Sequence, residues 1–83
     1  MKVRLRYFAS IREALGAGEV LDIDPGITAG GIRDALIARG GAHAATLARV
    51  RVLRMALNQV LCDEVALVTP DAELAFFPPV TGG

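Results

Sequence analysis

The spacing of apolar residues changes period along the chain, and this change limits the folds that the chain can adopt. Apolar and polar residues alternate over 2–8 and 19–24, which predicts two strands that each bury one face. Apolar residues then follow helical spacing over 28–39 and alternate again over 51–58 and 73–77. This order predicts an α+β fold in which one main helix packs across a mixed sheet of about four or five strands.

Turn-forming and capping residues mark where these elements begin and end. Gly16 ends a short predicted helix over Ala9–Leu15. Thr28 is expected to be the N-cap of the main helix, whose first turn Gly30 and Gly31 weaken by about 1 kcal/mol each relative to Ala. Shorter elements are predicted as a helix over 43–49, a turn at 58–59, a strand over 60–62 and an extended segment over 65–68.

The apolar residues that share the inward parity of each strand, or the inward side of the main helix, form the predicted core. A chain of 83 residues buries only about 60% of the surface that its unfolded form exposes, which leaves no room for a deep cavity with its own catalytic machinery. The predicted core residues are Leu5, Leu21, Ile32, Leu36, Leu57 and Phe76.

Charge and composition weigh against several classes of partner. Nine basic and nine acidic residues give a formal net charge of zero, so we expect neither nucleic acid nor an anionic membrane as a partner. No apolar stretch is long enough to span a bilayer, and the N-terminal segment alternates instead of running apolar as a signal peptide would. With a single cysteine no intrachain disulfide is possible, and we expect a cytoplasmic protein.

No constellation of catalytic or metal-ligating residues is visible. The sequence has no Gly-rich phosphate loop, no CxxC motif and no paired histidines, so no metal site is predicted. His43 is expected to be an ordinary surface histidine, and Cys62 is expected to be a structural cysteine, because neither has a partner of matching chemistry nearby. Two acidic pairs are expected to be turn and solvent-facing residues: Asp22 with Asp24, and Asp63 with Glu64.

The C-terminal segment, FFPPVTGG, is the most informative motif. Pro78 and Pro79 cannot donate to a sheet ladder, so the last strand must stop before them, and they keep the following chain extended and stiff. Fraying would account for a Gly-Gly end alone, but it explains poorly why a stiff arm starts directly at a core strand. We therefore expect a domain over 1–77 and a flexible tail over 78–83.

A C-terminal glycine carboxylate has a specific chemical use. Gly83 has no side chain and can enter a narrow channel in another protein, and a terminal carboxyl with a pKa of about 3.3–3.7 is ionised at neutral pH. A carboxylate is a poor acyl electrophile, so it needs activation, for example as an acyl-adenylate formed with ATP. A sulfur donor can then displace AMP and leave a thiocarboxylate, which is a nucleophile able to carry one sulfur atom.

The ending AFFPPVTGG, the internal RMALNQ and the N-terminal FASIREALG carry a resemblance to a known family. The chain resembles, over essentially its whole length, the MoaD-like sulfur carriers, which are the small subunits of molybdopterin synthase within the MoaD/ThiS ubiquitin-like family. It departs from that family at Pro70-Asp71-Ala72-Glu73, where an acidic-Gly-acidic turn is common.

The resemblance implies a β-grasp fold whose first and last strands are parallel central neighbours. It further implies that an E1-like enzyme uses ATP to adenylate Gly83 and that a sulfur donor protein then supplies a thiocarboxylate there. The carrier would bind the large subunit of molybdopterin synthase, typically as a heterotetramer, and sulfurate cyclic pyranopterin monophosphate to molybdopterin. The chain would be a non-catalytic subunit with no permanently bound cofactor.

Strand parity places Phe8 and Phe77 on the side of the sheet opposite the core, at the same end as the tail. Together with Leu61 they form a predicted docking patch for the partner, unless a strand bulge turns one of them inward. The remaining predicted partner contacts are the tail residues Pro78, Pro79, Val80 and Thr81, and the residues expected to carry the chemistry are Gly82 and Gly83.

Three other functions stay open on the sequence. A carrier for thiamine thiazole synthesis would have the same tail chemistry and a different acceptor enzyme. A ubiquitin-like modifier would form isopeptide bonds between Gly83 and lysines of target proteins. A plain interaction module would keep its activity after deletion of the tail.

Overall fold

The computed structural model describes residues 1–79, and in this range the chain forms five strands and three helices. Each element follows from a local pattern of apolar spacing bounded by turn residues. In chain order the elements are β1 (Lys2–Tyr7), α1 (Ala9–Leu15), β2 (Gly18–Asp22), α2 (Ala29–Ile37), α3 (Gly41–Leu47), β3 (Arg54–Leu57), β4 (Val60–Cys62) and β5 (Glu73–Phe77).

The strands form one mixed sheet in the order β2-β1-β5-β3-β4. The first and last strands of the chain are its central pair and run parallel, with Leu5 opposite Leu74 and Tyr7 opposite Phe76. The other pairs are antiparallel. Both the five-stranded mixed sheet and the parallel central pair confirm the predictions, and the architecture is the β-grasp, ubiquitin-like fold.

The core lies between the sheet and the helices. Val3, Leu5 and Tyr7 alternate with exposed basic residues along β1, as the period of two requires. Of the predicted core residues, Leu5, Ile32, Leu36 and Phe76 are buried. Leu21 and Leu57 are only half-buried at its border, the first of them on the edge strand β2.

Strand β3 begins at Arg54, three residues later than predicted, because a buried arginine holds the preceding segment as a loop. The Arg33 side chain is 4% exposed, and its guanidinium donates hydrogen bonds to the carbonyls of Leu47, Ala48 and Arg51, each at 2.9 Å. The carbonyl of Arg51 is therefore bonded to a side chain instead of a ladder. The third helix likewise ends at Leu47 and not at residue 49.

Other predicted boundaries shift by a few residues. Strand β2 covers 18–22 instead of 19–24, and α2 covers 29–37 instead of 28–39. Thr28 caps α2 as predicted, since its hydroxyl accepts a hydrogen bond from the Gly31 amide at 3.1 Å. The predicted turn at 58–59 joins β3 to β4, with positive φ angles at both residues. In the predicted extended segment 65–68, a single β-bridge joins Leu67 to Thr28.

Gly30 is required where α2 approaches the segment after β4. Its amide donates to the carbonyl of Glu64 at 2.9 Å, and a Cβ at this position would lie 2.9 Å from the Glu64 Cβ and 3.1 Å from the Glu64 carbonyl oxygen. The cost of glycine in the first turn of a helix is thus tolerated because a larger residue would push two segments apart.

We predict that Gly30→Ala lowers the free energy of unfolding by about 1 kcal/mol or more, because overpacking outweighs the gain of about 1 kcal/mol in helix propensity. Denaturant unfolding measures this change. Ala35→Gly, at an exposed position of the same helix, is the control and loses propensity alone. An increase in stability for Gly30→Ala would contradict the close packing.

A half-buried carboxylate on the edge strand joins three elements of the fold. Glu19 accepts a hydrogen bond from the Tyr7 hydroxyl at 3.0 Å, forms an ion pair with Arg39 at 2.5 Å and lies within hydrogen-bond distance, 3.2 Å, of the His43 Nε2 atom. His43 is therefore half-buried in a polar cluster, and its prediction as an ordinary surface histidine is wrong. Burial raises the pKa of Glu19, but the hydrogen bonds from these partners outweigh it and hold the pKa below its usual value.

This lowered pKa predicts an acid-dependent loss of stability. Glu19 binds a proton more readily in the unfolded state than in the folded state. The stabilisation that ionised Glu19 gives to the fold is therefore present above about pH 4.5 and is lost as the pH falls through the folded-state pKa. Glu19→Gln should flatten the fall of the unfolding free energy below about pH 4.5, measured by denaturant titration at several pH values. Glu13→Gln, exposed on α1, is the control and should keep the wild-type profile; equal profiles for both variants would refute the role of the cluster.

Candidate functional site

The outer face of the sheet, opposite the helices, carries the two predicted phenylalanines side by side. Phe8 follows β1 with an extended backbone, so it continues the alternation of that strand. Its amide donates to the Phe76 carbonyl at 3.1 Å, which holds Phe8 beside Phe77 in the parallel register. Phe8 is 38% exposed and Phe77 is half-buried, so no bulge turns either residue into the core.

Leu61 lies on the same face but two strands away from Phe77. It is opposite Ala56, which is opposite Ala75 on the central strand β5. Two strand spacings of about 4.8 Å, together with an offset of two residues or about 7 Å along the strands, separate Leu61 from Phe77 by roughly 12 Å. The docking patch of Phe8, Leu61 and Phe77 therefore has small alanine side chains beside Leu61 and the Arg54 side chain beside Phe77, with Leu61 71% exposed at its far side.

Arginines flank this docking patch. The Arg6 guanidinium lies over the Phe8 ring at 5.3 Å from its centroid and pairs with Glu73 at 3.4 Å, so it connects the aromatic end of the patch to β5. Arg54 is directly opposite Phe77 across the β5–β3 pair and is exposed. The alternation over 51–58 predicts the outward position of Arg54, which the docking patch predicted from the apolar residues did not include.

The tail leaves the sheet beside the patch. Strand β5 ends at Phe77 as predicted, and Pro78 and Pro79 are half-buried, so the first two tail residues rest partly on the domain. Pro78 borders a groove between α1 and the segment before β3, which Ile11 and Val52 also line. The other four predicted tail contacts and reactive groups lie outside the described residues: Val80, Thr81, Gly82 and Gly83.

The remaining candidate groups have structural roles. Cys62 is half-buried on the core side of β4, and burial together with the Asp63 carboxylate raises the pKa of its thiol, which lowers its reactivity. The Asp63 carboxylate accepts a hydrogen bond from the Val65 amide at 3.1 Å, and Glu64 pairs with Arg49. Asp22 is exposed and pairs with Lys2 at 2.9 Å.

Two other classes of feature concern metal ions and membranes. Within residues 1–79, no three His, Cys, Asp or Glu side chains are grouped so that they could hold a metal ion. In the same range, none of the helices is long and apolar enough to cross a membrane.

Comparison with known proteins extends these observations. The sequence profile of the ThiS family matches residues 5–83. The chain is 38% identical over 77 residues to the molybdopterin synthase sulfur carrier subunit of Haemophilus influenzae, covering 93% of this chain and 94% of that protein. It is 36% identical over 83 residues to the protein of the same name from Escherichia coli, covering 98% and 99% of the two chains.

Solved structures share the fold. Small archaeal modifier protein 1 from H. volcanii superposes with a TM-score of 0.78 at 27% identity, covering 95% of this chain and 98% of that one. In a Helicobacter pylori complex of subunits 1 and 2 of molybdopterin-converting factor, one chain matches with a TM-score of 0.71 at 21% identity, and both chains are covered completely. With the family profile covering nearly the whole sequence and two relatives above 35% identity, the chain belongs to the ThiS family.

Proposed function

We propose that this protein is the sulfur carrier of molybdenum cofactor biosynthesis, with the C-terminal carboxylate of Gly83 as the carrying group. The observation that carries the proposal is the parallel pairing of β1 with β5, which starts the tail beside an exposed apolar patch. A partner that docks on the patch would receive the tail at a defined place. The names of the two bacterial relatives support the same conclusion.

The chemistry starts at the carboxylate. A Gly83 carboxylate oxygen attacks the α-phosphorus of ATP in an E1-like enzyme, which releases pyrophosphate and leaves an acyl-adenylate. Sulfur at the oxidation level of sulfide, supplied by a donor protein, attacks the acyl carbon and displaces AMP, which yields the thiocarboxylate. Its sulfur then forms a carbon–sulfur bond to cyclic pyranopterin monophosphate as a carbon–oxygen bond of the pterin breaks and the oxygen group leaves. Water cleaves the acyl–sulfur bond, which leaves the sulfur on the pterin and returns the carboxylate.

The chain itself supplies recognition and reach instead of catalysis. The docking patch would bind the large subunit of molybdopterin synthase, and the tail would enter that subunit's active site, where Gly82 and Gly83 fit a channel too narrow for side chains. The solved Helicobacter pylori complex of subunits 1 and 2 supports an assembly of this kind. We expect a heterotetramer of two small and two large subunits.

One alternative is favoured by a specific observation. The solved relative at 27% identity is named a modifier protein, and a modifier uses the same activated glycine to acylate lysines of other proteins. A carrier for thiazole synthesis remains a further alternative, with the same thiocarboxylate and a different acceptor. Intact-mass analysis of protein from its native host separates the classes, because a thiocarboxylate adds one sulfur in place of oxygen and a modifier appears in isopeptide adducts.

We predict that the length of the tail is critical for sulfur transfer. One residue changes the reach by about 3.3–3.6 Å, whereas misplacing a reacting group by about 1 Å can cost about 10²-fold in rate. Deleting Gly83 should abolish transfer, appending one residue should nearly abolish it, and Gly82→Ala should impair it by crowding the channel. The assay loads each variant with the E1-like enzyme, ATP and a sulfur source, then measures thiocarboxylate by mass and product formed from the pterin precursor.

The matched control for these tail variants is Cys62→Ser, which should load and transfer sulfur at the wild-type rate. All tail variants should remain folded and should still bind the large subunit, because the docking patch is separate from the tip. Normal transfer by the Gly83 deletion, with loss of transfer in Cys62→Ser, would move the carrier role to the thiol and overturn the proposal.

We also predict that Phe77→Ala weakens binding to the large subunit by about 2 kcal/mol or more, because truncation removes a central aromatic contact of the docking patch. Titration calorimetry with the large subunit measures the change. Thermal unfolding of the same variant should change much less than binding does. Unaltered affinity, or loss of the folded state, would count against the patch as a docking surface.

A further inference from the structure

The outer face carries more positive charge than the neutral chain as a whole. Four cations and two carboxylates occupy its strand positions, and two of the cations are paired within the face: Lys2 with Asp22 at 2.9 Å, and Arg6 with Glu73 at 3.4 Å. The Arg4 guanidinium donates to the Asp71 carbonyl at 3.4 Å. Among residues 1–79, the fourth cation, Arg54, adjoins the docking patch without an ion-pair partner.

Arg54 stands between the aromatic and aliphatic parts of the patch. It is opposite Phe77 in the register, and it lines the same depression as Leu61 and Asp63. Among residues 1–79, no carboxylate comes within ion-pair distance of its guanidinium. The acidic residue that follows β4 on this side, Asp63, already accepts a hydrogen bond from the Val65 amide.

Docking through the patch would remove water from this guanidinium. A charged group that loses its water without gaining a partner carries a large free-energy penalty, which would oppose the gain from burying Phe8, Phe77 and Leu61. The penalty disappears where the incoming surface presents a carboxylate, and the planar fork of arginine suits a carboxylate that accepts two hydrogen bonds. A partner surface that matches the docking patch would thus be apolar with an acidic group facing Arg54.

We propose that Arg54 is a specificity-determining contact of the docking surface and that it pairs with a carboxylate of the large subunit. The inference rests on the proposed function, because it takes the large subunit as the partner. Arg54 acts in recognition and has no part in the sulfur chemistry, which occurs at the far end of the tail. An apolar surface without the carboxylate binds this carrier poorly.

The test compares charge changes at Arg54 with the same changes at Lys2. Lys2 is an exposed cation on the same strand face as Phe8, about 20 Å along β1. Arg54→Gln, Arg54→Glu, Lys2→Gln and Lys2→Glu are titrated with the large subunit by surface plasmon resonance at about 0.05 M and about 0.5 M salt, where screening differs strongly. Circular dichroism and thermal melting establish that each variant is folded.

We expect Arg54→Glu to weaken binding by about tenfold or more at low salt, partly through slower association, and Lys2→Glu to stay within about twofold of wild type. Higher salt should weaken wild-type binding more than that of Arg54→Gln. A basic substitution at the facing carboxylate of the large subunit should restore binding of Arg54→Glu.

The inference and the proposed function fail in different ways. If Phe77→Ala loses affinity while Arg54→Glu binds like the wild type, the patch stands and the role of Arg54 is overturned. Equal losses for Arg54→Glu and Lys2→Glu would also overturn it, because the effect would then come from net charge alone. If the wild-type chain does not bind the large subunit, the proposed function fails together with the inference.

Discussion

The parallel pairing of β1 with β5 is the constraint on which the rest of the structure depends. It joins the two ends of the described chain at the centre of the sheet, where Leu5 lies opposite Leu74 and the rings of Tyr7 and Phe76 are 6.2 Å apart. Because parallel strands end at the same edge, the residue after β1 and the first tail residue leave the sheet together. An antiparallel pair would put Phe8 at the opposite edge from the tail.

The two faces of this sheet have different roles. On the helical side, Arg33 and Glu19 hold loops and helices through hydrogen bonds, and across residues 1–79 every buried side-chain nitrogen and oxygen has a partner. In the same range, the outer side holds exposed apolar groups and Arg54, which forms no ion pair there. The helical face of the sheet therefore stabilises the fold, whereas the outer face is exposed and available for recognition.

The spacing of apolar residues along the chain predicts the extent of a strand and the face on which its side chains lie. The alternation over 73–77 gave the exact extent of β5, and parity correctly placed Phe8 and Phe77 on the outer face. The errors come from contacts between distant residues. Arg33, on α2, shortens the third strand because it binds carbonyls that are 14 to 18 residues further along the chain. Glu19 shares the inward parity of Leu21 and brings His43 into a polar cluster that no local pattern indicates.

Separation of recognition from chemistry has a consequence for the order of events. On the proposed function, the activating enzyme and the synthase both need the same Gly83 carboxylate. A tail of six residues spans about 20 Å at most, so each partner must bind close to the place where Pro78 leaves the sheet. The docking patch is an exposed apolar surface beside that place, and two large proteins that both use it cannot bind together. The carrier must therefore leave the activating enzyme before the synthase can receive the sulfur, so affinity for each partner has to be limited as well as specific.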